Sequence, residues 1–282
     1  MVTVAQRREG AQALQAAGLS ARRSCALVGL SRTVLSYQAQ RGNEAAVVAR
    51  LKELAQANPR YGARRIHALL RREQPVNHKR VHRLWQQAGL QVPARPKRRR
   101  KPTARPDRPP LQAERPNHVW TYDFVEDATA DGRKLRLLTL EDEFTRECLA
   151  IEVARSLPAA AVVTVLERVL GWRDQPAFLR SDNGTEFTAL TLYTWLERRE
   201  IDTHHIDLGS PWQNGYVESF NGHLRDEFLA QEEFASVAEC QVLAEAWRQH
   251  YNTQRPHSRL GYLTPSAFHQ AWRKRQATLE KA

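Results

Sequence analysis

The chain has 282 residues, 41% hydrophobic and 26% charged, with a formal net charge of +12. That length suits one well-buried core plus small accessory modules. No apolar run of about 18 residues argues for a membrane helix, and the start, Met1-Val-Thr-Val-Ala-Gln-Arg-Arg8, lacks the apolar stretch of a signal peptide, so a cytoplasmic, nucleoid-associated protein is expected. The charge is unevenly divided. Residues 1–115 carry 25 Lys/Arg against 6 Asp/Glu (+19), and residues 116–282 carry 18 against 25 (−7). A basic arm that finds a polyanion, joined to a domain with another task, fits this asymmetry.

Residues 1–42 form the first predicted unit, with two or three short helices over 11–40. Ser20 can cap one helix, Gly29 can make a turn, and Ser31 can cap a second helix running to Tyr37. This is the pattern of a helix-turn-helix. A plain helical hairpin without DNA contact is the competing reading. Residues 43–92 form a second helical unit. Ile66, Leu69 and Leu70 fall on one face, and Arg64, Arg65, Arg71 and Arg72 largely on the other. Asn77 can cap a further helix with apolar Val81, Leu84 and Trp85 and basic Lys79, Arg80 and Arg83, ended by Gly89. The basic outer surfaces suit phosphate and groove contacts. Arg64, Arg65, Lys79, Arg80 and Arg83 are therefore candidate DNA contacts.

Residues 93–116 contain seven prolines and read as a linker. Its cluster Lys97, Arg98, Arg99, Arg100 and Lys101 can track a DNA backbone without regard to sequence. A solubilising tether is the alternative.

From His118 the pattern changes. Strands are predicted over Val119–Val125, Leu135–Leu140 and Cys148–Val153, with a hairpin turn at Asp131-Gly132. A helix over Pro158–Gly171 follows, then a strand at Phe178–Arg180, a helix at Leu190–Arg199 and a strand at Ile201–His205. Helices at Gly215–Phe228 and Val237–Tyr251 complete the core. Three meandering strands followed by alternating helix and strand predict an α/β fold, a mixed five-stranded sheet flanked by helices in the ribonuclease-H-like order. The catalytic domain is assigned to 117–270 and a C-terminal tail to 271–282.

Cys25, Cys148 and Cys240 lie far apart and read as isolated buried thiols. His78 and His82 are spaced i,i+4 without a cysteine pair, so a solvated basic helix face is the better reading than zinc.

Three acids stand out in combination. Asp123 sits mid-strand between Tyr122 and Phe124, where burial demands a partner or a metal. Asp182 opens the turn Asp182-Asn-Gly184 after a short apolar run. Glu218 lies early in a helix, after the turn-rich segment Leu208–Gly215, which reads as a mobile loop. Singly, each has an ordinary explanation. Together, carboxylates on a strand, a strand end and a helix can converge, and such hard oxygen ligands suit Mg²⁺ or Mn²⁺. Two ions about 4 Å apart can clamp both oxygens of a phosphodiester exchange. Glu218, Gly222 and Arg225 share one helix face. Arg225 could thus reach substrate phosphate, with Asn221 projecting nearby as a candidate DNA contact. Val217, Phe220, Leu224 and Phe228 read as core.

The motifs Trp120-Thr-Tyr-Asp123, Arg180-Ser-Asp-Asn-Gly-Thr-Glu-Phe187, Ser210-Pro-Trp-Gln-Asn-Gly-Tyr-Val-Glu-Ser-Phe-Asn221 and Tyr251-Asn-Thr-Gln-Arg-Pro-His257 with Thr264-Pro265 resemble one family. So does the Tyr61-Gly62-Arg64-Arg65 segment. The family is the DDE transposases of bacterial insertion sequences, closest to second-reading-frame (OrfB) products of the IS-three group, with a retroviral-integrase-like core. The resemblance implies Asp123, Asp182 and Glu218 as the metal-binding triad and Arg225 as a basic catalytic neighbour. It implies cleavage of transposon ends, strand transfer into target DNA and a homo-oligomer on DNA. A first-frame protein is a further partner to expect, since the chain has its own Met1 and no long heptad run. A DNA-binding regulator, a ribonuclease-H-type nuclease and an inactive relic of the element are the rival readings.

Overall fold

A computed structural model describes residues 2–37, 44–93, 111–181, 190–205 and 215–280. They form two compact units, one up to residue 49 and one from residue 50 onward.

In the first unit, helix α1 spans Val4–Ala16, α2 Ala21–Val28 and α3 Arg32–Ser36. Thr3 and Gln6 form a reciprocal capping box, which starts α1 well before the predicted helical region. The Ser20 and Ser31 hydroxyls accept the N–H groups of Arg23 and Val34 and so begin α2 and α3. Gly29 closes α2 with φ 63°, a left-handed turn that suits glycine. The predicted helix-turn-helix pattern thus has the local caps it requires.

The second unit opens with α4 (Glu44–Ala57), of which residues 50–57 belong to it, α5 (Ala63–Glu73) and α6 (His78–Gln87). Leu51, Leu54, Ile66, Leu70, Val81, Leu84 and Trp85 are all buried. Lys79 N–H donates to Asn77 Oδ1 at 2.8 Å, the predicted cap of α6.

The sheet follows, with β1 at Val119–Ala128, β2 at Lys134–Asp142, β3 at Cys148–Ala154, β4 at Phe178–Ser181 and β5 at Asp202–His205. Helix α7 (Ala159–Leu170) and α8 (Leu190–Arg198) alternate with the last strands. Then come α9 (Gly215–Leu224), a wider π-turn over Arg225–Leu229, α10 (Val237–Thr253) and α11 (Pro265–Leu279). Strand order is β3-β2-β1-β4-β5. β1, β2 and β3 pair antiparallel, while β4 and β5 run parallel to β1. The mixed five-stranded sheet is the predicted one. α11 carries the chain through the 270/271 boundary as ordered helix, because Thr264 caps it and Pro265 pre-sets its first turn, so residues 271–279 are no tail.

Alternation along the strands divides the core. Trp120, Tyr122, Leu138 and Leu140 pack against Val162, Leu166 and Leu196 of α7 and α8. Val125, Leu135, Leu137 and Ile151 pack against Phe220, Leu224 and Tyr251 of α9 and α10. Asp123 lies two residues before Val125, on the face that α9 covers. Phe228 joins the same cluster, so the predicted stripe Val217, Phe220, Leu224 and Phe228 is core.

Candidate active site

Asp123 is half-buried in the central strand β1, opposite Thr139 of β2. Its carboxylate is held from two sides. Phe124 N–H donates to Oδ1 at 2.8 Å, and Asn221 Nδ2 donates to Oδ2 at 2.7 Å. Asn221 is itself oriented by Thr139. The Thr139 hydroxyl lies 3.1 Å from both Asn221 Oδ1 and the Asp123 carbonyl oxygen, two acceptors that share its proton. Asn221 is only 2% exposed. It faces Asp123 rather than solvent, unlike the DNA contact expected from sequence. Sequence reasoning gave Thr139 no role. The one available signal was a polar residue interrupting the run Leu137-Leu-Thr-Leu140.

The Asn221 bond fastens α9 over β1. Glu218 is exposed on the same helix, three residues ahead, a rise of about 4.5 Å along the axis. Val217, Phe220 and Leu224 anchor the opposite side of α9 in the core, which leaves the Glu218 side free. Arg225 is exposed at the first residue of the π-turn. Asp182 falls in 182–189, outside the described residues; β4 is described up to Ser181, the residue before it. The loop ahead of Glu218 (206–214) and the cluster Lys97–Lys101 also lie outside them. Among the described residues no group of three His, Cys, Asp or Glu could hold a metal ion.

Beside the α9 face that carries Tyr216 and His223 lies a cavity of about 480 Å³, lined also by Glu141, Arg146, Arg255 and Arg259. Glu141 Oε2 is buried without a hydrogen-bond partner, and burial pushes the Glu141 carboxyl up to about 8. Arg146 adopts φ 62° and places its guanidinium 3.9 Å from the centre of the Tyr216 ring, at the start of α9. Arg180 is 1% exposed. Its Nη1 donates to both Glu143 oxygens at 2.7 and 2.9 Å, and its Nη2 donates to the Leu111 carbonyl. It therefore locks β4, just before Asp182, to the β2–β3 turn.

Of the helical candidates, Arg64, Lys79 and Arg83 are exposed and Arg80 is half-buried. Arg64 shares a cleft of about 680 Å³ with His67, Arg71, Arg72, His78 and His82. Arg65 is drawn inward instead, pairing with Glu227 at 3.0 Å. Cys25, Cys148 and Cys240 are free and buried, as expected.

Comparison with known proteins completes the picture. An integrase core domain family matches residues 113–211 and a second one matches 199–265, while an HTH-like domain family matches 42–99. An uncharacterized 31.7 kDa protein of insertion element IS407 from Burkholderia multivorans is 44% identical over 257 residues, covering 89% of this chain and 90% of that protein. The chain belongs to the insertion-sequence transposase family with an integrase core. The putative transposase InsK of IS150 from Escherichia coli is a more distant member, 29% identical over 77% of this chain and 80% of its own length. The integrase of a simian T-cell lymphotropic virus intasome, solved with the PP2A regulatory subunit B56 gamma, shares the fold. Its TM-score is 0.50 at 14% identity, covering 78% of this chain and 74% of that one. Within this family member the core matches span Asp123, Asp182 and Glu218, and the HTH-like match spans α4 to α6.

Proposed function

We propose that the chain cuts DNA at the ends of its insertion element and joins the freed 3′ ends to a target duplex by in-line phosphodiester exchange. The observation that carries this reading is the Asn221 bridge, which fastens the helix of Glu218 over Asp123 in a chain of the integrase-core family. Asp123, Asp182 and Glu218 are the residues that would hold Mg²⁺ or Mn²⁺, two ions being expected. The donor set fits: the oxygens are hard, and each Asp123 oxygen keeps lone-pair capacity beyond its single hydrogen bond. Bound there, the ions supply Lewis-acid activation of the attacking oxygen and stabilise the leaving 3′ oxygen.

The chain's own groups do the rest. Asn221 and Thr139 fix the direction in which the Asp123 carboxylate points. Arg225, exposed at the end of α9, takes a phosphate beside the site. Arg64, Lys79, Arg80 and Arg83, with the 97–101 cluster, hold the duplex by phosphate contacts that set register rather than sequence. Because two ends must be joined, the working form is a homo-oligomer on DNA in the nucleoid, with a first-frame protein as a further partner.

A strand-transfer assay tests the reading. A pre-cut duplex bearing the element's end is mixed with supercoiled plasmid and Mg²⁺. Joined products are expected from the wild type. Asp123→Asn, Asp182→Asn and Glu218→Gln should give none while still binding the duplex. Joining by any of the three would remove that residue from the site.

A further inference from the structure

Two motifs remain without a role in this chemistry, the Tyr61-Gly62-Arg64-Arg65 segment and the Tyr251–His257 segment. They lie about 190 residues apart and meet on the π-turn that ends the helix of Glu218. Glu227, on that turn, accepts from both. Arg65 Nη1 reaches its Oε1 at 3.0 Å, while Arg255 approaches it side-on, Nη2 to Oε1 at 2.7 Å and Nε to Oε2 at 2.6 Å. The Glu227 and Arg255 side chains are 6% and 1% exposed. Tyr61, 4% exposed, lies beneath both guanidinium groups, 5.4 and 5.9 Å from its ring centre. Next to this cluster Arg60 pairs with Asp226, and Arg72 donates to the Gln254 carbonyl at 3.0 Å. The Asn252 side chain bonds both the N–H and the carbonyl of Cys148, tying the end of α10 to β3.

The arrangement is mechanical. Arg60 and Tyr61 immediately precede α5, and Arg65 lies in its first turn. The π-turn directly continues α9, so a displacement of α5 is passed to Glu218 through about two turns of helix. A bidentate guanidinium–carboxylate pair with this burial has little freedom to slide, and a residual unpaired charge there is costly enough to keep the contact closed. Wider π-type turns recur where a helix serves a site.

We propose that this joint couples DNA seated on α5 and α6 to the helix of Glu218, with Arg60, Arg65, Asp226, Glu227 and Arg255 acting as positioning residues for the catalytic carboxylate. The proposal rests on the transposase reading above, and its test separates the two.

The full chain is studied with duplex DNA carrying the element's end. Hydrogen exchange is followed over residues 215–229 with and without DNA, and single-turnover nicking is measured at saturating DNA. In the wild type, DNA should slow exchange over 215–229. Arg60→Glu and Asp226→Arg should each abolish that slowing and cut the nicking rate by about tenfold or more, with DNA affinity changed by less than about threefold. The double variant Arg60→Glu/Asp226→Arg restores the pairing in reverse and should recover both, as a double-mutant cycle requires of a direct contact. Slowing that survives in the single variants, or a double variant no better than either single, would overturn the joint. Nicking by Asp182→Asn at the wild-type rate would sink the metal-site reading instead, and the exchange data would still judge the joint.

Discussion

Asn221→Ala is the sharpest probe of how Asp123 is held. The substitution removes an amide that is 2% exposed and donates at 2.7 Å to a carboxylate. A hydrogen bond to a charged group contributes about 1.5–3 kcal/mol. If that energy is what keeps Asp123 pointing at its ligand, the chemical step slows by about 10- to 150-fold. Thr139 is not orphaned, because its hydroxyl still has the Asp123 carbonyl at 3.1 Å. Thr139→Val should therefore produce a smaller loss, about 0.5–1.5 kcal/mol for one neutral hydrogen bond. The assay is single-turnover nicking at saturating DNA, with the duplex dissociation constant measured separately by anisotropy. The rate constant should fall while the dissociation constant stays within about threefold, and more Mn²⁺ should be needed for half-maximal rate. A wild-type rate in Asn221→Ala would refute the positioning argument. So would a loss confined to DNA affinity, which would make Asn221 a DNA contact after all.

Two further outcomes follow from the charge distribution. Glu141 is fully buried, and burial raises its carboxyl to about 8 from the ordinary 4.5. Between those two values the unfolded chain is ionised while the folded chain keeps its proton, so stability falls as pH rises through this window and levels off above about 8. Glu141→Gln has no such proton to lose. In urea unfolding its stability relative to wild type should grow by a few kcal/mol between pH 5 and pH 8, and a constant difference would mean that Glu141 is ionised in the fold. Replacing Lys97, Arg98, Arg99, Arg100 and Lys101 with serine should flatten the dependence of log K on log salt by up to about 4, at roughly 0.9 per phosphate released. An unchanged slope would place the cluster outside the DNA interface.

Much of the fold was legible because it is written in local chemistry. Ser20, Gly29, Ser31 and Asn77 announce helix ends through their own side chains or backbone, and all four act as caps. The period-two alternation of Leu135, Leu137 against Leu138, Leu140 separates the two faces of the sheet. Asp123 and Glu218 could be singled out because a mid-strand acid and a helix acid stand in unusual company. What was not legible depends on partners distant in sequence. Arg65 has the spacing of an outward-facing helix arginine, yet its partner Glu227 is 162 residues away. Asn221 reads as a polar helix residue until Asp123 is placed beneath it, 98 residues earlier. The π-turn is hidden because Val217, Phe220, Leu224 and Phe228 fit an ordinary helical stripe and are all buried even so. The early start of α1 rests on the reciprocal bonds of Thr3 and Gln6, a capping box just ahead of the region read as helical.

The central claim is that Asp123, Asp182 and Glu218 form one metal-dependent phosphodiester site. It is tested most directly by titrating Mg²⁺ and Mn²⁺ into a nicking reaction on labelled duplex spanning the element boundary, with wild type beside Asp182→Asn. The account predicts metal-dependent nicking at the boundary by the wild type and none by the variant, with both binding the duplex equally. Nicking by Asp182→Asn, or metal-independent nicking by the wild type, would contradict it.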